Sequence, residues 1–166
     1  MFKVVEGKLI RKVSTGPNGP IGEEAGWLSQ TGYRRVKIDD KTFITHRVIF
    51  LMYNNHLPKC IDHIDGNPLN NKPENLRGAT NGQNRRNTQS NKNSSSVYKG
   101  VCWKKSRHVE GNGKWVARYY NIDGGKHLGY YKDEMKAAVA VDEYNRNHHP
   151  EFATFNFPLE GERSAI

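Results

Sequence analysis

The chain has 166 residues, with 26 Lys and Arg against 17 Asp and Glu and a formal net charge of +9. No run approaches the roughly 18 consecutive apolar residues of a membrane span, and charges interrupt any signal-peptide core in MFKVVEGKLIRK. Cys60 and Cys102 stand far apart without a CxxC, so a membrane protein, a secreted disulfide scaffold and a structural zinc finger are all excluded.

What remains is a soluble, cytoplasmic protein of one or two small, loop-rich modules, whose positive charge concerns its partners and not its fold. The charge is concentrated: no acidic residue occurs from Asn81 to Val109, while Arg85, Arg86, Lys92, Lys99, Lys104, Lys105 and Arg107 accumulate there. A polyanion is the natural partner of such a stretch, and nothing in the composition suggests a small-molecule substrate.

Residues 1–24 give little signal and are left unassigned. GYRRVKI and TFITH, separated by Asp39-Asp40-Lys41, form a hairpin pattern. The six apolar residues from Val48 to Tyr53 in HRVIFLMYNN are too crowded for strand alternation and predict a short buried helix. From CIDHIDGNPLNN onward the chain is dense in Asn, Gly and Pro, which predicts sharp turns held by side chains. In TNGQNRRN, Thr80 and Gln83 have capping-box spacing, and a helix starting there carries Asn84 in its first turns.

TQSNKNSSS, residues 88–96, has no apolar anchor and is expected to be a flexible linker. Beyond it, VYKGVCW, KWVARYYN and KHLGYY predict a three-stranded antiparallel sheet, with turns at Glu110-Gly111-Asn112-Gly113 and Asp123-Gly124-Gly125. Ala137, Ala140, Val141 and Tyr144 recur at helical spacing and predict a helix lying across one face of that sheet. The fold class expected is therefore α+β.

Asp62-His63, with Asn75 and Asn84 downstream, is the constellation with chemical potential. Phosphodiester hydrolysis needs a base to deprotonate water and a divalent cation to neutralise developing charge. A neutral imidazole suits the first task. A carboxylate and an amide carbonyl are hard oxygen donors that favour Mg²⁺ or Mn²⁺ over zinc. On these grounds Asp62 and Asn84 would hold a single divalent ion while His63 handles the proton. Taken alone, DHIDG is more often a turn with a solvated acid than a metal site, and what lifts it is a carboxylate, a His and a helix-borne amide within a chain whose charge predicts phosphate binding.

From Gly32 to Asn87 the residues GYRRVKI, HRVIF and IDHIDGNPLNNKPENLRGATNGQNRRN resemble the HNH endonucleases of the His-Me finger superfamily, in the form common among bacteriophage homing enzymes. The resemblance implies a ββα-metal finger in residues 25–87. It makes His63 the general base, Asp62 and Asn84 the ion ligands, and Asn75 a brace of the loop. The last ligand position, often His in the family, is Asn84 here. His46 resembles a recurrent His-Arg of the subgroup and is placed as a structural or substrate-contacting residue. Asp65 is assigned to the turn, and Arg85 and Arg86 to phosphate contacts.

In the second half, YKGV, KWVARY, LGYYKDEMKAAVAVDEYN and the closing Asn156 to Pro158 resemble the APETALA or ethylene-response-factor type of DNA-binding domain over residues 97–158. That implies a sheet entering the DNA major groove, with Lys99, Lys104, Lys105, Lys114, Trp115 and Arg118 on the reading face. For Trp115 a place in the core is the competing assignment. Cys102, Arg118 and Tyr120 stand where that family usually has Arg, Glu and Arg, so its recognition sequence is not carried over.

The resulting expectation is a metal-dependent DNA endonuclease acting on double-stranded DNA in a phage-infected bacterial cell. Residues 159–166 form its C-terminal tail. Two other functions fit the same residues: a non-catalytic DNA-binding regulator, and an RNA-binding or RNA-cleaving protein. The sequence does not specify an oligomeric state.

Overall fold

The computed structural model describes residues 1–14, 16, 19–90, 93–105, 113–120 and 125–166. It is mixed α and β, with small antiparallel sheets and helices divided between two compact units, Met1–Thr80 and Asn81–Ile166.

The first unit opens with a hairpin that the sequence pattern did not reveal. Strands β1 (Phe2–Val5) and β2 (Lys8–Arg11) pair through a two-residue turn at Glu6-Gly7, both with positive φ. Glycine is required at position 7 for a second reason, since a Cβ there would lie 2.6 Å from the backbone nitrogen of Lys72. Lys72 also forms a 2.8 Å ion pair with Glu6, so this hairpin abuts the loop that follows His63.

β3 (Trp27–Leu28), β4 (Arg34–Ile38) and β5 (Lys41–Ile44) form an antiparallel sheet, with the expected hairpin turning at Asp39-Asp40. Helix α1 (Thr45–Asn54) follows directly and buries Thr45, His46, Ile49 and Phe50, one face of the helix. β6 (Cys60–His63) then pairs with β7 (Leu76–Ala79), setting Asp62 opposite Arg77 and His63 opposite Leu76. Leu9, Ala25, Val36, Ile49, Phe50, Ile61 and Leu76 form the core beneath these elements.

The second unit begins with helix α2 (Asn81–Arg86), which carries Asn84. β8 (Val101–Lys105), β9 (Gly113–Tyr119) and β10 (Lys126–Tyr131) form the expected antiparallel meander. Helix α3 (Glu134–His148) is capped by Asp133, which accepts from the Lys136 amide at 2.8 Å. Its Ala137, Ala138 and Val141 meet Val101 and Ala117 of the sheet, small residues that allow close approach. Of the two turns expected between these strands, 110–112 and 123–124 lie outside the described residues.

Two expectations about unstructured segments change. Ser94, Ser95 and Ser96 of the expected linker bond to the Val101 carbonyl, the Trp103 amide and the Glu134 carboxylate, so this end of it is built into the second unit. The expected tail is also packed. Ala165 is fully buried, Phe155 and Ser164 bridge, and the Ala165 amide and carbonyl bond to the Phe155 carbonyl and the Ser90 amide. A lack of apolar side chains did not prevent ordering, because backbone and hydroxyl groups supply the bonds.

Candidate active site

Asp62 and His63 are the last two residues of β6. Asp62 is 3% exposed, and its Oδ2 accepts from Arg77 Nε at 2.9 Å and Nη2 at 2.8 Å across the strand pair. His63, at the end of the strand, is 6% exposed and turns toward the first turn of α1. Its ring meets His46 edge-on at a centroid distance of 5.0 Å, with Tyr33 at 6.3 Å.

Asn71, itself buried, presents Oδ1 3.0 Å from His63 Nε2. An Nε2 that donates to this carbonyl leaves the basic lone pair on Nδ1. The contact with Asn71 orients the ring. Asn71 was not singled out in the sequence because its role depends on how the loop folds back, although it belongs to the Asn-Asn pair before PENLR. Arg77 likewise becomes informative only once the β6–β7 register is known.

Asn75 holds the intervening loop by four bonds. Its Nδ2 donates to Asp65 Oδ1 and the Asn70 carbonyl, its Oδ1 accepts from the Asp65 amide, and its carbonyl accepts from the Ile64 amide. Asp65 is a turn residue: burial raises its pKa, but bonds from Asn70, the Asn67 amide and Asn75 outweigh that and hold the carboxyl below its usual range.

His46 is buried, and its Nδ1 has no hydrogen-bond partner among the described residues. Burial, then the neighbouring His63 and Arg47, hold its pKa down to about 4. It is therefore a neutral wall of the site at physiological pH.

Among the described residues there is no group of three His, Cys, Asp or Glu that could hold a metal, which leaves a nitrogen- or sulfur-rich zinc site without candidates. A carboxylate such as that of Asp62 and an amide carbonyl such as that of Asn84 are each the kind of hard oxygen donor that Mg²⁺ or Mn²⁺ takes. Asn84 is half-buried on α2 in the second unit, next to exposed Arg85 and half-buried Arg86.

In the second unit the proposed reading residues separate. Lys104, Lys114 and Arg118 share one side of the sheet with Cys102, His127 and Tyr130, and Lys104 Nζ lies 5.8 Å from the Tyr130 ring centroid. Trp115 is on the other side, in the helix-facing core and edge-on to Trp103, so its expected place on the reading face is corrected. Lys105 has the same strand parity as Trp103, away from the open face, although it is exposed. Lys99 is corrected too. Its ammonium donates to the Arg86 and Thr88 carbonyls at 2.5 Å and to Thr154 Oγ1 at 2.8 Å, which uses all three of its protons inside the fold.

The HNH endonuclease family matches residues 43–86, the segment from β5 through α2. The chain is also 32% identical over 112 residues to Protein 3.8 of Escherichia phage T7, covering 66% of this chain and 88% of the phage protein. The chain belongs to the family of phage T7 Protein 3.8. Within this family member, the HNH endonuclease domain encloses His46, Asp62, His63, Asn71, Asn75 and Asn84, and it supports a nuclease with DNA as substrate. No solved structure matches the chain. Among the described residues no helix is long and apolar enough to cross a membrane.

Proposed function

We propose that the chain is a divalent-metal-dependent DNA endonuclease of the homing type that hydrolyses phosphodiester bonds in double-stranded DNA. The observation that carries this reading is His63, buried at the end of β6 with Nε2 bonded to Asn71 Oδ1 inside the HNH match. In that tautomer Nδ1 accepts the proton of the attacking water while Asn71 keeps the ring from rotating. Neutral His46 and Tyr33 enclose the imidazole and limit water around it. Asn75, through Asp65 and Asn70, maintains the loop that delivers Asn71.

Asp62 and Asn84 are the proposed ligands of a single Mg²⁺ or Mn²⁺. Such an ion, when bound, stabilises negative charge on the scissile phosphate and the departing oxygen. Arg77 neutralises part of the Asp62 charge, which favours weak, exchangeable ion binding over a permanent site. One active site per chain nicks one strand. The second unit serves as the targeting surface, in the manner of the APETALA-type sheet it resembles, through Lys104, Lys114 and Arg118. Binding through both units raises the local concentration of each at the DNA.

Supercoiled plasmid incubated with the purified chain tests the metal assignment. Cleavage is expected to stop with a chelator and to return on addition of Mg²⁺ or Mn²⁺, and Asn84→Ala should raise the metal concentration needed for half-maximal rate. Cleavage that persists at full rate in chelator contradicts it.

A further inference from the structure

The second unit contains a cleft of about 550 Å³ between α2 and the edge of the sheet. Arg85, Arg86, Lys99 and Arg118 line it together with Tyr119 and Tyr120, and no carboxylate is present among its lining residues. Four cations around one opening repel each other, and that cost is relieved when an anion enters. The cations are not equivalent. Lys99 is held by its three acceptors and contributes charge only. Arg86 donates to the Tyr119 hydroxyl at 2.5 Å, which keeps its guanidinium at the wall. The side chains of Arg85 and Arg118 have no hydrogen-bond or ion-pair partner among the described residues, so their donors are available to a ligand.

Helix α2 supplies Arg85 and Arg86 to this cleft and also carries Asn84. We propose that the cleft is a DNA-backbone site, in which Arg85 and Arg118 grip phosphates of the substrate strand. This inference rests on the nuclease reading and deepens it by naming where the strand is held apart from the reacting phosphate. Guanidinium donors suit phosphate oxygens, and Tyr120, 63% exposed at the rim, offers a flat apolar face for a sugar.

The test measures binding of the full chain to a fluorescently labelled DNA duplex by anisotropy, in chelator, over a series of potassium chloride concentrations. Each phosphate contact contributes about 0.9 to the slope of log affinity against log salt. The pair Arg85→Gln with Arg118→Gln is expected to weaken binding about tenfold or more and to lower the slope by nearly two. A control pair that removes the same charge from exposed α3-side positions, Lys132→Gln with Lys136→Gln, should change the slope far less. Urea unfolding checks that both pairs remain folded. Equal slopes for the two pairs would overturn the proposal. Because cleavage is not read, a chain that binds through this cleft yet never cuts would leave the cleft standing and remove the nuclease reading.

Discussion

His46 and His63 lie in the same packed cluster, and the proposed function gives proton transfer to His63 alone. His46 is enclosed by Tyr33, His63 and the body of α1, and burial holds its pKa down to about 4. In the unfolded chain the same imidazole titrates near its usual value of about 6.5. Between those values the unfolded state binds the proton and the folded state does not, so stability falls as pH is lowered through that window. Lowering the pH from 7 to 5 is expected to cost about 2 kcal/mol through this residue alone. Urea unfolding of the wild type and His46→Gln at both pH values checks it. The variant should lose less stability on acidification, and parallel losses would contradict the assignment. The sequence made His63, Asp62 and Asn75 legible because they fall in one compact motif. It hid the locking of Lys99, because a lysine in a basic run looks the same whether or not carbonyl groups await it in the fold.

At the scale of elements, the loop between β6 and β7 does the positioning. Two asparagines four residues apart have separate tasks: Asn75 braces the loop internally, and Asn71 reaches from it to the imidazole. Asn75→Ala removes three side-chain bonds at a buried position and is expected to destabilise the first unit by about 2–3 kcal/mol. Asn71→Ala should cost less stability but slow cleavage roughly 10- to 100-fold, by freeing the ring from its orientation. Denaturant midpoints and single-turnover rates separate the two, and a rate loss in Asn71→Ala no larger than its stability loss explains would count against the positioning role.

Other elements differed in how visible they were. The α1 helix and the β8–β10 meander were readable from apolar crowding and alternation. The β1–β2 hairpin was not, since each strand has four residues and its turn is Glu-Gly and not a recognisable Asn-Gly; the available signal was Phe2 and Val4 alternating before a glycine. The ordering of the C-terminal segment depends on Asp142. Buried on α3, it accepts from the Asn156 and Phe157 amides and from Asn156 Nδ2, a distant arrangement with no local pattern.

Across the whole molecule, chemistry and charge are distributed between two units. The first contains the buried imidazole and the Asp62–Arg77 pair; the second contains Asn84, the cationic cleft and the open face of the sheet. The net charge of +9 draws in any polyanion, so affinity alone cannot distinguish a nuclease from a DNA-binding regulator. Hydrolysis can. The most direct measurement is the rate of relaxation of supercoiled plasmid by purified wild-type and His63→Ala chains in Mg²⁺, with DNA affinity measured in parallel. The account predicts that the wild type nicks the plasmid and that His63→Ala loses about 100-fold or more in rate while its affinity is unchanged. Equal rates for the two chains, or no cleavage by the wild type with either Mg²⁺ or Mn²⁺, would contradict it.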